Sequence, residues 1–374
     1  MTPTVRNHYV PQGYTQLFFN NKGKIWRTDK VTGELIEFNS TLNIGVENNL
    51  YTVVSQITKQ DVEFLQALLQ TDLTDIELNI VDNIVGILND DFRSLDGLKI
   101  SLKNQPNEVS EKLNILLNEM LCSEMDVSRN QEELCTMYED DFYSVRDAIL
   151  TSKSLDCLYP LPTKFIDPKY YMFFKVKAKA YNMMLKKMCN IIKKDAPEKF
   201  IHFKERIKET SPRTINTPYY DLMFYSIFQM VRVPHFFHLF DKDGKTESLR
   251  AKGINIINVQ FLYLQFETIR RLSSWHYQGF KPILVINQTT IPFITSDQPC
   301  FNIYGKLMDC GYNSEAFELF FPISQDCALM YSSRSCYKDV HTIKESDEEM
   351  INMWNKLVID NANRYIFSTN PIHI

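Results

Sequence analysis

Tyr219-Tyr220-Asp221-Leu222-Met223-Phe224-Tyr225-Ser226-Ile227-Phe228-Gln229-Met230-Val231-Arg232-Val233-Pro234 is apolar on nearly every side of a helix. Such a helix runs through a core rather than over a surface. The pattern extends from Tyr219 toward Phe237, with a stop signal at Val233-Pro234, because proline cannot continue a helix. Its polar exceptions are informative: Gln229 and Arg232 sit three apart, on one helical face, and a guanidinium in that setting needs a carboxylate or a bound anion. Asp221, Gln229 and Arg232 also interrupt the run, so it falls short of the roughly 20 apolar residues of a membrane span.

Working outward, Ile254 to Arg271 reads as a second apolar helix. After Ser274 the pattern shortens to strands over Pro282 to Ile286, Ile291 to Thr295, Cys300 to Tyr304, Phe317 to Phe321 and Ala328 to Tyr331. A last helix over Ser346 to Asn361 precedes a terminal strand at Tyr365-Ile366-Phe367. On the other side, Thr58 to Leu155 carries apolar residues at helical spacing, as in Val62, Leu65, Leu68 and Leu69 or Leu113, Leu116, Leu117 and Met120. From Gly13 to Phe38, runs at Tyr14 to Phe19, Lys24 to Thr28 and Leu35 to Phe38 are separated by turn residues, the signature of a β-meander. The expected class is α+β: β-rich segments 1–57 and 273–374 flank a helical region, 58–272.

Composition agrees with a globular chain. Of 374 residues 44% are hydrophobic and 23% charged, which excludes wholesale disorder and fibrous repeats. The 25 Phe and 19 Tyr against 11 Gly point to a core of large flat side chains and argue against a glycine-rich nucleotide loop. The first residues, Met1 to His8, lack a basic segment followed by an apolar run, so the expectation is a cytoplasmic protein without a membrane span. The cysteines Cys122, Cys135, Cys157, Cys189, Cys300, Cys310, Cys327 and Cys336 include no C-x-x-C pair and read as reduced, buried small hydrophobes rather than zinc ligands.

Charge is unevenly spread. Acidic residues gather between Glu108 and Asp147, peaking at Glu139-Asp140-Asp141, and Lys169 to Lys208 is strongly basic, with Lys186 and Lys187 near its centre and Tyr and Phe interleaved. Two readings stand: a solvated helix face packed against the acidic segment, or an electrostatic footprint for phosphates. The net charge of −5 favours the first.

Several familiar sites fail on inspection. Asp243-Gly244-Lys245-Thr246 lacks the glycine five residues before Gly244 that a phosphate loop requires, Leu239 standing there. Asp241-x-Asp243 lacks the later glycine and glutamate of a calcium loop. His235 and His238 have no third ligand in view.

Two constellations survive. His8-Tyr9-Val10-Pro11-Gln12 is a stiff polar segment in which Pro11 fixes its own φ and biases Val10 to extended geometry, so His8 and Gln12 can be held in defined directions. Phe293-Ile294-Thr295-Ser296-Asp297-Gln298-Pro299 is an apolar strand ending in two hydroxyls, a carboxylate and a proline-closed turn. Asp297 is either a backbone-capping Asx residue or the anionic partner of Arg232.

Together these residues resemble the family known as domain of unknown function 4238, whose members open with a HYVPQ-like segment. The resemblance runs through His8 to Gln12, Gly23-Lys24-Ile25, Thr32-Gly33, Asn43-x-x-x-Glu47-x-x-x-Tyr51, Gln229-x-x-Arg232-x-Pro234, Thr295-Ser296-Asp297-x-Pro299 and Arg364-Tyr365. Between Tyr51 and Leu155 the chain is longer and more divergent than the family pattern. The resemblance implies a bacterial cytoplasmic protein of the kind associated with defence against phage, and defence effectors are often toxins that attack nucleic acid.

The expectation is an RNase-like effector. In metal-free RNA cleavage a base takes the 2′-hydroxyl proton, an acid protonates the leaving oxygen and a cation stabilises the phosphorane. His8, Asp297 and Arg232 are candidates for those roles. Gln12 and Gln229 would orient the substrate, Thr295 and Ser296 would hold the carboxylate, and the stretch around Lys186 and Lys187 would steer the backbone. No cofactor is expected, although a divalent metal held by Glu47 and Asp297 is an alternative. The rival class is a non-enzymatic sensor or binding module for an anionic ligand, a phage-derived trigger or a protein partner. Oligomeric state is left open.

Overall fold

The computed structural model describes residues 6–48, 50, 53, 55–69, 73–89, 127–159, 167–195, 217–234, 249, 251–304 and 317–373. Leu113 to Met120, the His235 and His238 pair, the Asp241 to Thr246 loop, Cys122, Cys310 and the basic-stretch residues Lys199, Lys204, Arg206 and Lys208 lie outside them.

In chain order the elements are β1 (Arg6–His8), α1 (Gln12–Thr15), β2 (Ile25–Asp29), β3 (Leu35–Phe38), β4 (Val46–Asn48), α2 (Lys59–Leu69), α3 (Asp75–Leu88), α4 (Val127–Ser152), α5 (Pro168–Asp195), α6 (Pro218–Val231) and α7 (Ile256–Gln278). There follow β5 (Lys281–Asn287), β6 (Thr295–Ser296), β7 (Phe301–Asn302), β8 (Leu319–Pro322), β9 (Cys327–Ser332), β10 (Thr342–Glu345), α8 (Glu348–Asn361) and β11 (Tyr365–Ser368). The class is α+β, with β-rich ends around a helical middle.

Helix α6 is the axis of the molecule. Pro218 occupies its first turn, Arg232 caps it, and Tyr219 through Val231 are all buried. It packs against α4 and α7. Phe142 of α4 stacks on Tyr225 with ring centroids 4.1 Å apart, and Tyr138 meets Phe224 at 4.7 Å. Burying each such ring stabilises by about 2–3 kcal/mol. The helix stops at Val231, earlier than Phe237, and Pro234 two residues past the cap accounts for the stop.

The five-stranded sheet, ordered β10-β5-β9-β8-β7, is covered on both faces, which explains its unbroken apolar runs. Leu284, Leu329, Tyr331 and Phe321 point into the large helical core, whereas Ile283, Val285, Met330 and Phe320 point into a second core against Trp354 of α8. The strand β10, parallel to β5, was not expected from the sequence: Thr-Ile-Lys-Glu has a single apolar residue and lies at the edge.

A four-stranded antiparallel sheet, ordered β3-β2-β11-β6, joins the two ends of the chain. The hairpin β2–β3 supplies one half, and β11 inserts between β2 and the short β6. Tyr14 to Phe19, expected as the first strand of the meander, is instead α1 followed by a 3-10 turn over Gln16–Phe18. Pro11 at the N-cap fits that start, and its carbonyl accepts from both the Thr15 amide and hydroxyl. Ile291 to Thr295 is mostly irregular as well; only Thr295–Ser296 pairs with β11.

Candidate functional site

The opening pentapeptide is clamped through its backbone. His8 ends β1, which pairs with β4 so that Asn7 lies opposite Glu47. The Tyr9 and Val10 amides both donate to the Gly45 carbonyl. Gly45 has φ +56°, and a Cβ there would lie 2.4 Å from Val10 Cβ, so only glycine fits this approach. From the other side, the Gln229 amide donates to the Tyr9 carbonyl at 2.5 Å and Arg232 to the His8 carbonyl at 2.6 Å. The face of α6 that carries Gln229 and Arg232 is the one that holds His8-Tyr9 in place.

Arg232 also reaches Glu139 of α4, Nη1 to Oε1 at 2.7 Å, with its own side chain only 5% exposed. This overturns the expected pairing with Asp297: among the described residues Glu139 is the carboxylate that Arg232 meets. Asp297 is committed elsewhere. Its Oδ1 accepts from the Asn363 amide at 2.8 Å, and its Oδ2 from Arg364 and Tyr365 at 2.8 and 2.9 Å. It therefore caps the turn that leads into β11, and it does so 66 to 68 residues along the chain rather than through a local Asx turn. Burial pushes its carboxyl up to about 6, while the three amides pull in the other direction.

Thr295 and Ser296 do not hold that carboxylate. The Thr295 hydroxyl lies 2.6 Å from the Tyr14 hydroxyl, and Ser296 bonds the backbone of Gln298. Gln298 in turn donates to the Met230 carbonyl, which ties the turn to the end of α6.

Between the pentapeptide and α4 is a cleft of about 310 Å³. Arg6, Asn7, His8, Pro11 and Gln12 form one wall; Glu132, Cys135, Thr136, Glu139 and Tyr143 form the other, with Arg232 at the junction. Three of the residues expected to share a centre, His8, Gln12 and Arg232, thus do so. Asp297, Thr295 and Ser296 are not in its lining, nor are Lys186 and Lys187.

His8 has defined polarity. Its Nδ1 lies 3.2 Å from the Ile44 carbonyl, so Nδ1 carries the proton, and Nε2 then accepts from the Gln12 amide at 2.9 Å. Thr41 donates to Gln12 Oε1 and fixes that amide's orientation. Burial lowers the imidazole pKa below its usual 6.5, assisted by the nearby Arg232 and Arg6. The ring is neutral at pH 7. Cys135, pushed up to about 12 by burial, is an inert thiol. The Tyr143 hydroxyl is buried beside that of Tyr225, and burial together with Glu139 raises its pKa.

The basic helix α5 faces the acidic helix α4. Lys175 meets Asp141 at 2.6 Å, Lys186 meets Glu133 at 3.4 Å, and Lys179 stands 4.0 Å from the same Glu133. Glu47 and Asp297 both act on the buried Tyr9, raising its hydroxyl pKa after the larger effect of burial. Among the described residues no group of three His, Cys, Asp or Glu side chains is placed to hold a metal. Nor is any helix among them long and apolar enough to cross a membrane.

The residues that sequence reasoning missed here are Glu139, Tyr143, Glu132 and Thr136. Their signal was periodic: 132, 136, 139 and 143 fall on one flank of α4, beside the buried stripe of Leu134, Tyr138, Phe142 and Ile149.

Fold and cleft together define an α+β protein in which the early hairpin β2–β3 and the last strand β11 share one sheet, next to a polar recess built on the opening segment. Residues 220–371 match the model of the family described as Protein of unknown function (DUF4238). The match takes in Gln229, Arg232, Asp297 and the Arg364-Tyr365 strand; His8 to Gln12 precede it. No curated protein and no solved structure matches the chain.

Proposed function

We propose that the cleft at His8, Glu139 and Arg232 is the working centre of a toxin-like bacterial effector, acting in defence against phage, that cleaves RNA by general acid–base chemistry. The observation that carries this reading is the meeting of a neutral imidazole, a carboxylate and a guanidinium in one recess. His8 is the base, since its lowered pKa keeps Nε2 free of a proton at neutral pH. The 2′-hydroxyl of the substrate takes the place that the Gln12 amide occupies at Nε2. Arg232, with Arg6 on the rim, supplies positive charge for the phosphorane. Glu139 takes the role first assigned to Asp297, and Tyr143 closes the wall of the cleft beside it. Lys186 and Lys187 contribute only long-range attraction for the backbone.

A second reading is favoured by one observation: both His8 nitrogens and both terminal nitrogens of Arg232 are already hydrogen-bonded within the protein or beside it. That saturation suits a non-enzymatic module that recognises an anionic ligand or a partner. Purified protein incubated with total RNA, with and without chelator, followed by sequencing of fragment ends, separates the readings. The expected result is chelator-resistant cleavage that leaves 2′,3′-cyclic phosphate ends and falls by about 100-fold or more in His8→Ala. Specific ligand retention without cleavage supports the module; chelator-sensitive cleavage supports the metal alternative at Glu47 and Asp297.

A further inference from the structure

A second cavity, of about 440 Å³, lies on the opposite flank of α4, between that helix, α5 and the start of α6. At 100° per residue, Met137, Asp141, Ser144 and Ala148 face away from the flank that carries Glu139. Its size falls within the roughly 300–1,000 Å³ typical of small-molecule pockets.

The polar groups of this cavity form two charge centres. Lys175 meets Asp141 at 2.6 Å, also bonds Asp221, and donates to the Tyr171 hydroxyl at 2.8 Å. One ammonium thus faces two carboxylates, which leaves negative charge over at the Asp141 side. Lys179, one turn along α5, has its carboxylate at 4.0 Å, and that carboxylate, Glu133, is shared with Lys186. Burial lowers the Lys179 pKa, as expected of a poorly compensated ammonium. The remaining wall is apolar, from Met137, Val145, Ala148 and Ala178.

Asp141 shares its one ammonium with Asp221, and the partly shielded Lys179 has its carboxylate only at 4.0 Å. Each centre is therefore under-compensated, and an occupant with one charge improves one of them and leaves the other as it is. An occupant with both signs satisfies both. We infer that this cavity binds a small zwitterion of the α-amino-acid type, its ammonium on Asp141, its carboxylate on Lys179 and an aliphatic side chain against Met137, Val145 and Ala178.

The test is calorimetric titration of the full-length protein with L-leucine, 3-methylbutylamine and 4-methylpentanoate, which share one side chain and differ in charge. Leucine should bind about tenfold or more tightly than either singly charged analogue. Lys179→Met and Asp141→Asn should each weaken leucine by about tenfold. Ser144→Phe, which fills the cavity from its exposed rim, should abolish binding without affecting the ligand-free melting temperature. Equal binding of a singly charged analogue, undiminished binding in Ser144→Phe, or no binding of leucine at millimolar concentration overturns the inference. None of these results depends on whether the protein cleaves RNA.

Discussion

The two polar motifs that stand out in the sequence, His8 to Gln12 and Thr295 to Asp297, are held in opposite ways. The first is gripped by its backbone and leaves its side chains facing a recess. Gln229, Arg232 and Gly45 bond the carbonyls and amides of residues 8 to 10, while the His8 ring and Gln12 line the cleft. The second is sealed: Thr295, Ser296 and Asp297 are buried, Thr295 and Asp297 spend their side chains on distant parts of the chain, and Ser296 bonds the Gln298 backbone beside it. Strong hydrogen bonding marks both, but the backbone-held motif places side chains in the lining of a cleft, where a ligand can exchange with their internal bonds. A polar motif at a strand end is therefore evidence of a junction before it is evidence of chemistry.

The sharpest way to break this contrast is Asp297→Ala. The substitution leaves three amides, of Asn363, Arg364 and Tyr365, without the acceptor that the buried Asp297 carboxylate supplies and releases the turn that feeds β11 between β2 and β6. The expected loss is about 3–5 kcal/mol of unfolding free energy, read by urea titration. Loss of RNA cleavage at unchanged stability would put Asp297 back among the reacting groups and undo the distinction.

Next in size is the dependence of stability on pH, for which the two motifs carry opposite signs. The Asp297 carboxyl is raised from 3.8 to about 6, so between those values the folded protein binds more protons than the unfolded chain. Its contribution is fully present at the acid end and is lost as pH rises through that window, by about 2–3 kcal/mol. The His8 imidazole is lowered from 6.5, so just below 6.5 the unfolded chain binds more protons. Its contribution is present above 6.5 and is lost as pH falls. Urea midpoints measured from pH 4 to 8 should lose the falling component in Asp297→Asn and the rising component in His8→Gln. A shared direction for the two variants would contradict the assignment.

How much of this was legible beforehand follows from what each signal depends on. Helix α6, the strands β5, β8 and β9, α8 and β11 could be read because dense apolar periodicity decides them locally. The first turn of the chain could not: Tyr14 to Phe19 is aromatic enough for a strand, and Pro11 as a helix N-cap outweighed it. The short strands β6 and β10 exist only because a neighbour pairs with them, which no local pattern records. At the site, His8, Gln12, Gln229 and Arg232 were found because stiff backbone and a buried guanidinium are visible in sequence. Glu139 was hidden in a surface-like acidic run, since its significance depends on α4 lying across the end of α6.

The smallest expected effect concerns the lysines, and it tests whether α5 belongs with either motif at all. Lys186 is 64% exposed and stands 3.4 Å from Glu133, a separation at which an exposed pair contributes little. Lys186→Ala should change unfolding free energy by no more than about 0.5 kcal/mol, because water replaces the lost contact and the rest of the α4–α5 pairing is untouched. Its effect on RNA cleavage should be a few-fold at low salt, about what one steering charge supplies, and should vanish as the Debye length shortens to about 8 Å at physiological ionic strength. A loss that persists at high salt would mean that Lys186 touches substrate directly. The contact surface would then extend from the cleft around α4 to the basic helix, and the partition of this molecule into one open motif and one sealed motif would have to include α5.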